Sequence, residues 1–125
     1  MVTIDRFEEM AREIADGLPE EFYRELNGGL IIKEERKLHA ASVDDNLCIL
    51  GEYHKDAYLG RFIVLYYGSY MKIYGHLAES DLKKRLRKTI LHEFRHHLES
   101  LAGEKDLEVE DAVEIAEYKR THGEK

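Results

Sequence analysis

The segment from Glu79 or Ser80 to Ala102 reads as one long helix, and in a chain of only 125 residues the rest of the fold has to be built against it. Ser80 is suited to cap its start, and Gly103 predicts its stop. Along it Ile90, Phe94, Leu98 and Leu101 recur at three- and four-residue steps, which gathers them on one side as a core-facing stripe. His92 and His96 fall on roughly the opposite side, so this pair is not part of that stripe.

The remaining elements are short. Ile4, Phe7, Ala11 and Ile14 follow the helical period, with acidic residues between them, and predict an N-terminal amphipathic helix ending near Gly17. Pro19, Glu20 and Glu21 suit the start of a second short helix, expected to run to about Leu26 and to stop at the turn signal Asn27-Gly28-Gly29. Leu30 to Glu34, Asn46 to Tyr53 and Arg61 to Tyr67 are β-rich runs bounded by Gly, Asn or Asp, which predicts a sheet of about three strands. Glu35 to Asp45 and Lys55 to Gly60 read as loops, and Gly68 to Gly75 is compatible with either a helix start or a strand end. Beyond Gly103, Leu107 to about Tyr118 predicts a helix folding back as an αα-hairpin. The expectation is an α+β fold, with residues 1–125 forming a single domain around one core. Sequence repeats and low-complexity segments, which would suggest a boundary, are not seen.

The chemistry lies mid-helix, in His92-Glu93-Phe94-Arg95-His96, a match to H-E-x-x-H. Residues four apart on a helix point only about 40° apart around its axis, so the two imidazoles can share one ion. Glu93, about 100° further round than His92, flanks that ion rather than binding it, where a carboxylate can take a proton from a water the ion activates. One Zn2+ per chain lowers the pKa of such a water and polarises a carbonyl, which leaves Glu93 as general base and then general acid. His97 falls beside the apolar stripe and reads as a packed histidine rather than a ligand. Glu99, three residues after His96 on the same face, is a rival third ligand, as are Asp111 and Glu114 if the second helix returns alongside the first.

Composition narrows the partners. A formal net charge of −7 argues against nucleic acid, because neutralising phosphates needs a concentrated basic face. Lys83, Lys84, Arg85, Arg87 and Lys88 form the one basic cluster and read as a solvated helix face, with an anionic partner as the alternative. The hydrophobic fraction of 43% and charged fraction of 36% suit a domain that folds alone. Cys48, the single cysteine, lies in an apolar run and reads as a buried structural thiol, compatible with a reducing cytosol. The N-terminus is acidic and amphipathic, and no apolar stretch approaches the roughly 20 residues of a membrane span, so the expectation is a cytoplasmic protein without membrane contact.

Together with the N-terminal helix, Leu18-Pro19-Glu20-Glu21-Phe22, Leu26-Asn27, Leu50-Gly51-Glu52-Tyr53, Ile63-Val64-Leu65-Tyr66, Thr89-Ile90-Leu91-His92-Glu93 and His96-His97 resemble the small bacterial zincin-like metallopeptidase family, the minimal zincins. The resemblance runs over most of the chain. It implies a small zincin-like domain in which a short mixed sheet covers the H-E-x-x-H helix, and a zinc peptidase activity on a peptide or protein substrate. The family pattern continues H-E-x-x-H-x-x-G-x-x-D, whereas in this chain Glu99 stands at the glycine position and Ala102 at the aspartate position. Gly103-Glu104-Lys105-Asp106 restores the Gly-x-x-Asp spacing one helical turn later, which makes Asp106 the expected third metal ligand. Tyr53, Tyr66, Tyr67, Tyr70 and Tyr74 concentrate near the sheet, where a tyrosine could steady an oxyanion or simply pack. A strand beside the cleft, expected to be Arg61 to Tyr67, could hold an extended peptide by backbone pairing. The competing function is a metal-binding or protein-interaction module that keeps this fold without turnover.

Overall fold

The computed structural model describes residues 1–40 and 47–105. Helix α1 spans Ile4–Asp16, and its start is fixed by the Thr3 hydroxyl, which accepts from the Arg6 amide at 3.2 Å. Its buried residues include Phe7, Ala11 and Ile14 of the predicted stripe, with Met10 and Ala15 beside them, whereas Ile4 is half-buried. The second helix is shorter than expected, a 3-10 turn at Glu20–Tyr23. The chain leaves it through an extended Arg24 and then Glu25 in the left-handed region at φ 60°, which α-helical hydrogen bonding to Leu26 would not allow.

Strands β1 (Gly29–Lys33), β4 (Gly51–Asp56) and β5 (Gly60–Tyr66) form a mixed sheet in the order β1-β5-β4. β1 pairs parallel to β5 from Gly29↔Phe62 to Lys33↔Tyr66, and β4 pairs antiparallel to it from Gly51↔Leu65 to Asp56↔Gly60. β5 is central, and Ile63, Val64, Leu65 and Tyr66 are all buried, which explains why that run shows no polar alternation. The expected strand at Asn46 to Tyr53 divides at Leu50. Its first part, β3 (Cys48–Ile49), pairs antiparallel with β2 (Lys37–Leu38), and only the second part, extended to Asp56, joins the main sheet. The predicted loops at Glu35 to Asp45 and Lys55 to Gly60 are thus shorter, each giving residues to strands; Asn46 and part of the first loop lie outside the described residues.

After β5 the chain turns directly into α2, Tyr67–Tyr74, which resolves the ambiguous stretch as helix. Strand pairing ends there because β1 stops at Lys33 and the Gly68 amide bonds the Glu34 carbonyl at 3.0 Å instead. Helix α3 spans Glu79–Lys105. It passes through Gly103, correcting the expected stop. A glycine inside a helix costs only about 1 kcal/mol, less than two buried leucines, Leu98 and Leu101, gain in the turns before it. The predicted helix Leu107 to Tyr118, and with it the αα-hairpin, lies outside the described residues.

Leu82, Leu86, Ile90, Phe94 and Leu98 of α3 pack on Phe7, Met10 and Ile14 of α1, on Phe22, and on Ile63 and Leu65 of β5. The long helix is therefore clamped on one face by α1 and the sheet, which leaves the opposite face, with His92 and His96, exposed. Among the described residues no helix is long and apolar enough to cross a membrane.

Candidate metal centre and cleft

The two histidines are brought together as the helical spacing requires. Nε2 of His92 and Nε2 of His96 stand 3.1 Å apart, with the rings nearly perpendicular at 88°. Two imidazole nitrogens bonded to one zinc at about 2.0–2.1 Å in a near-tetrahedral arrangement stand roughly 3.3 Å apart, so the pair fits half of a zinc site. Desolvation first, then the His96 ring, holds the His92 pKa below its ordinary value, which favours the neutral imidazole that a metal needs. Between them in sequence, Glu93 is turned inward and is only 6% exposed. Burial first, then the negative charge of Glu52, raises its carboxyl to about 7.

The third ligand is not resolved by proximity. Among the described residues no group of three His, Cys, Asp or Glu converges on one point, and Asp106, like Asp111 and Glu114, lies outside them. Glu99 approaches His96 on the other ring nitrogen, with Oε1 3.7 Å from Nδ1. That position suits a carboxylate that orients the ring from behind, rather than one sharing the ion at Nε2.

The cleft wall is β4, not β5. β5 is paired on both sides and has no edge to offer, whereas β4 pairs only with β5 among the described residues and lies against α3. Two clefts meet where this strand passes the helix, both lined by Gly51, His92 and Glu93. One, of about 690 Å³, continues past Glu52, His54, His96, Glu99 and Ser100. The other, of about 520 Å³, continues past Leu50, Ile49, Cys48, His39, Thr89 and Lys88. Gly51 is what permits the close passage, since a Cβ there would come within 2.9 Å of the Thr89 methyl and 3.2 Å of Leu65 Cδ2.

Two features escape sequence reasoning. The first is the cluster around Glu52, whose Oε1 accepts from Lys37 Nζ at 2.9 Å and from the Tyr66 hydroxyl, and lies 3.1 Å from His54 Nε2. Desolvation opposes ionisation of this carboxyl, but the bonds from Tyr66, Lys37 and His54 prevail and hold it at about 2. The one signal for it is Glu52 and His54 at two-residue spacing on one face of an edge strand. The second is His97, fully buried, whose Nε2 lies 2.7 Å from the Arg24 carbonyl and whose Nδ1 lies 2.8 Å from the Tyr53 hydroxyl. Arg61 Nη1 donates to that hydroxyl at 2.9 Å and to Ser100. His97 is packed, as its place beside the stripe predicts, but its bridging of three elements depends on non-local contacts. The other tyrosines are core and rim: Tyr70 is fully buried and bonds Thr89, and Tyr67 donates to the Val2 carbonyl.

No protein-family model matches this chain, and no curated protein matches it. Among solved structures, a conserved hypothetical protein from Thermus thermophilus has a similar fold, with a TM-score of 0.70 at 35% sequence identity. The match covers 82% of this chain and 100% of that one.

Proposed function

The chain belongs to the family of that Thermus thermophilus conserved hypothetical protein, and we propose that it is a zinc-dependent peptidase with a zincin-like fold. The observation that carries the reading is the 3.1 Å separation of the His92 and His96 Nε2 atoms, beside a buried Glu93 and at the meeting point of two clefts. The resemblance of the chain to minimal zincins supports the same reading.

His92 and His96 would hold the zinc, with Asp106 proposed as the third ligand. The bound zinc supplies a Lewis acid that polarises the scissile carbonyl and makes a nearby water more acidic. Glu93 takes the proton of that water as its oxygen bonds the carbonyl carbon, then delivers it to the amide nitrogen as the C–N bond breaks. Burial raises the Glu93 carboxyl to about 7, and the charge of a zinc ion held beside it would lower it again toward the ordinary carboxylate range, which suits a group that must take a proton and return it. The edge of β4 that pairs with no strand among the described residues can hold an extended peptide by backbone hydrogen bonds, which positions the carbonyl across Glu93.

Elemental analysis of protein purified without added zinc, with zinc-supplied protein alongside, tests the site. One zinc per chain, lost in His92→Ala, is expected. Glu93→Gln should keep the metal and lose hydrolysis of a fluorogenic peptide library. Metal bound without any hydrolysis by the unmodified protein would leave a non-catalytic metal-binding module, and no metal after zinc is supplied would end both readings.

A further inference from the structure

The cleft at Glu93 does not end at the metal pair. Lys88, one helical turn before His92, lines the 520 Å³ cleft and also a third cavity of about 500 Å³ farther toward the start of α3. That third cavity is lined by Lys84, Arg85 and Arg87 with Leu77, Leu91 and a single acid, Asp81. The two cavities adjoin at Lys88, which makes a groove leading from the Glu93 cleft round α3 into a basic surface. Five of the chain's 19 lysines and arginines fall within residues 83–88, in a protein of net charge −7.

Some of these cations are already engaged. Lys83 bonds Glu13 at 2.7 Å, and the Arg85 guanidinium lies over the Tyr74 ring at 5.3 Å. Lys84 and Lys88 are exposed and line the groove. On the other side of Glu93 the lining holds no lysine or arginine, and its further acids are Glu52, already bonded to Lys37, and Glu99. The groove is therefore electrostatically lopsided about the point where a bond would be cut.

The geometry points to an acidic peptide as the substrate class, with its Asp or Glu side chains on one side of the scissile bond and seated against Lys88 and Lys84. This rests on the peptidase reading of the Glu93 site. Lys88 stands five residues before Glu93, about 7.5 Å along the axis, whereas Lys84, nine residues before it, is about 13 Å along the axis and half a turn round it, so the path to Lys84 crosses the helix over Lys88. Acids within about four residues of the cleaved bond should therefore meet Lys88 first, and Lys84 only at the far end of that reach. Complementary charge of this kind contributes through encounter and register, and salt weakens it.

The test measures binding apart from turnover. Fluorescein-labelled peptides with Glu at those four positions, on the N-terminal or the C-terminal side of a central Ala-Leu, are titrated against zinc-supplied Glu93→Gln protein by anisotropy, with Gln-substituted peptides as controls. One acidic set should bind about tenfold tighter than its control in 50 mM salt, and the gap should shrink in 500 mM salt. K84E/K88E should abolish the gap, while its melting temperature reports an intact fold; K84Q/K88Q serves if the double reversal melts early. Equal affinity for acidic and neutral peptides overturns the inference, as does tighter binding of a DNA oligonucleotide of matched charge. Cleavage of library peptides by unmodified protein without acid preference overturns it while sparing the peptidase reading. Acid-selective binding without cleavage upholds the groove and removes the peptidase.

Discussion

The Tyr53 hydroxyl lies 2.8 Å from Nδ1 of His97, which ties edge strand β4 to α3 at the residue after His96. The other ring nitrogen fixes the direction of that bond. Nε2 faces the Arg24 carbonyl, which can only accept, so Nε2 carries the proton and Nδ1 accepts from Tyr53. Arg61 then donates to the same hydroxyl oxygen, which completes its hydrogen bonding. Tyr53→Phe leaves a buried nitrogen without its donor and should cost about 1–3 kcal/mol, read as a lowered melting temperature. A melting temperature equal to that of the unmodified protein would show that this bond does not hold the cleft wall.

His97 also sets a pH limit. Burial first, then the Arg61 charge, holds its pKa below the ordinary 6.5, despite the opposing bond to the Arg24 carbonyl. The unfolded chain therefore binds this proton more readily than the folded one. The contribution is complete above pH 6.5 and is lost as pH falls toward the lower folded value. Denaturant unfolding at about pH 7.5 and about pH 5.5 should show a larger loss of stability in unmodified protein than in His97→Gln, which has no proton to gain.

Glu52 acts at lower pH. Its folded carboxyl titrates at about 2 against an ordinary 4.5, so its stabilisation is present above 4.5 and fades as pH falls toward 2. In Glu52→Gln the stability profile between those values should flatten. An unchanged slope would mean that Lys37, Tyr66 and His54 do not hold this carboxylate in solution.

These relationships show where the sequence is readable. The α1 and α3 stripes and the His92–His96 pair are local, set by a period of about 3.6 residues, and both stripes are buried as expected except at Ile4, which is half-buried. Where elements stop is less legible. Asn46 to Tyr53 looks like one strand because nothing in its composition marks Leu50, where the backbone passes from β3 to β4 and its carbonyl accepts from the Tyr66 amide. Gly103 looks like a cap because glycine favours that position, although it does not oblige the helix to end. The Glu52 cluster joins residues 37, 52, 54 and 66 across three strands, and no spacing rule links them. β5 reads as the border of the cleft because it is the most β-rich run, yet the same composition makes it the buried centre, which leaves the edge to the more polar β4.

The approach of β4 to α3 can be tested through steric fit. Gly51→Ala places a methyl 2.9 Å from the Thr89 methyl and 3.2–3.3 Å from Leu65 Cδ2 and the Val64 carbonyl. Overpacking of this kind costs roughly 1–3 kcal/mol. Thr89→Ser removes the nearest obstacle but not the other two, so the double variant should recover part of the loss. If the two effects simply add, the crossing at Gly51 and Thr89 is looser in solution than these distances require.

Zinc itself supplies the last prediction. A ligand that binds only the folded state stabilises it by about 4 kcal/mol at about 1,000 times its dissociation constant, which raises the melting temperature by many degrees in a domain this size. Zinc should do this for unmodified protein and fail to do so for His92→Ala, whose exposed position makes the substitution itself mild. The third ligand then follows from comparing two variants. Glu99 faces Nδ1 of His96 at 3.7 Å, so Glu99→Ala should lower zinc affinity modestly, by about tenfold, as loss of an orienting partner does. Asp106→Ala should remove most of the zinc-induced shift. A reversal, with Glu99→Ala the more damaging, would require the Glu99 side chain to swing round to the Nε2 side and would make Glu99, rather than Asp106, the third ligand.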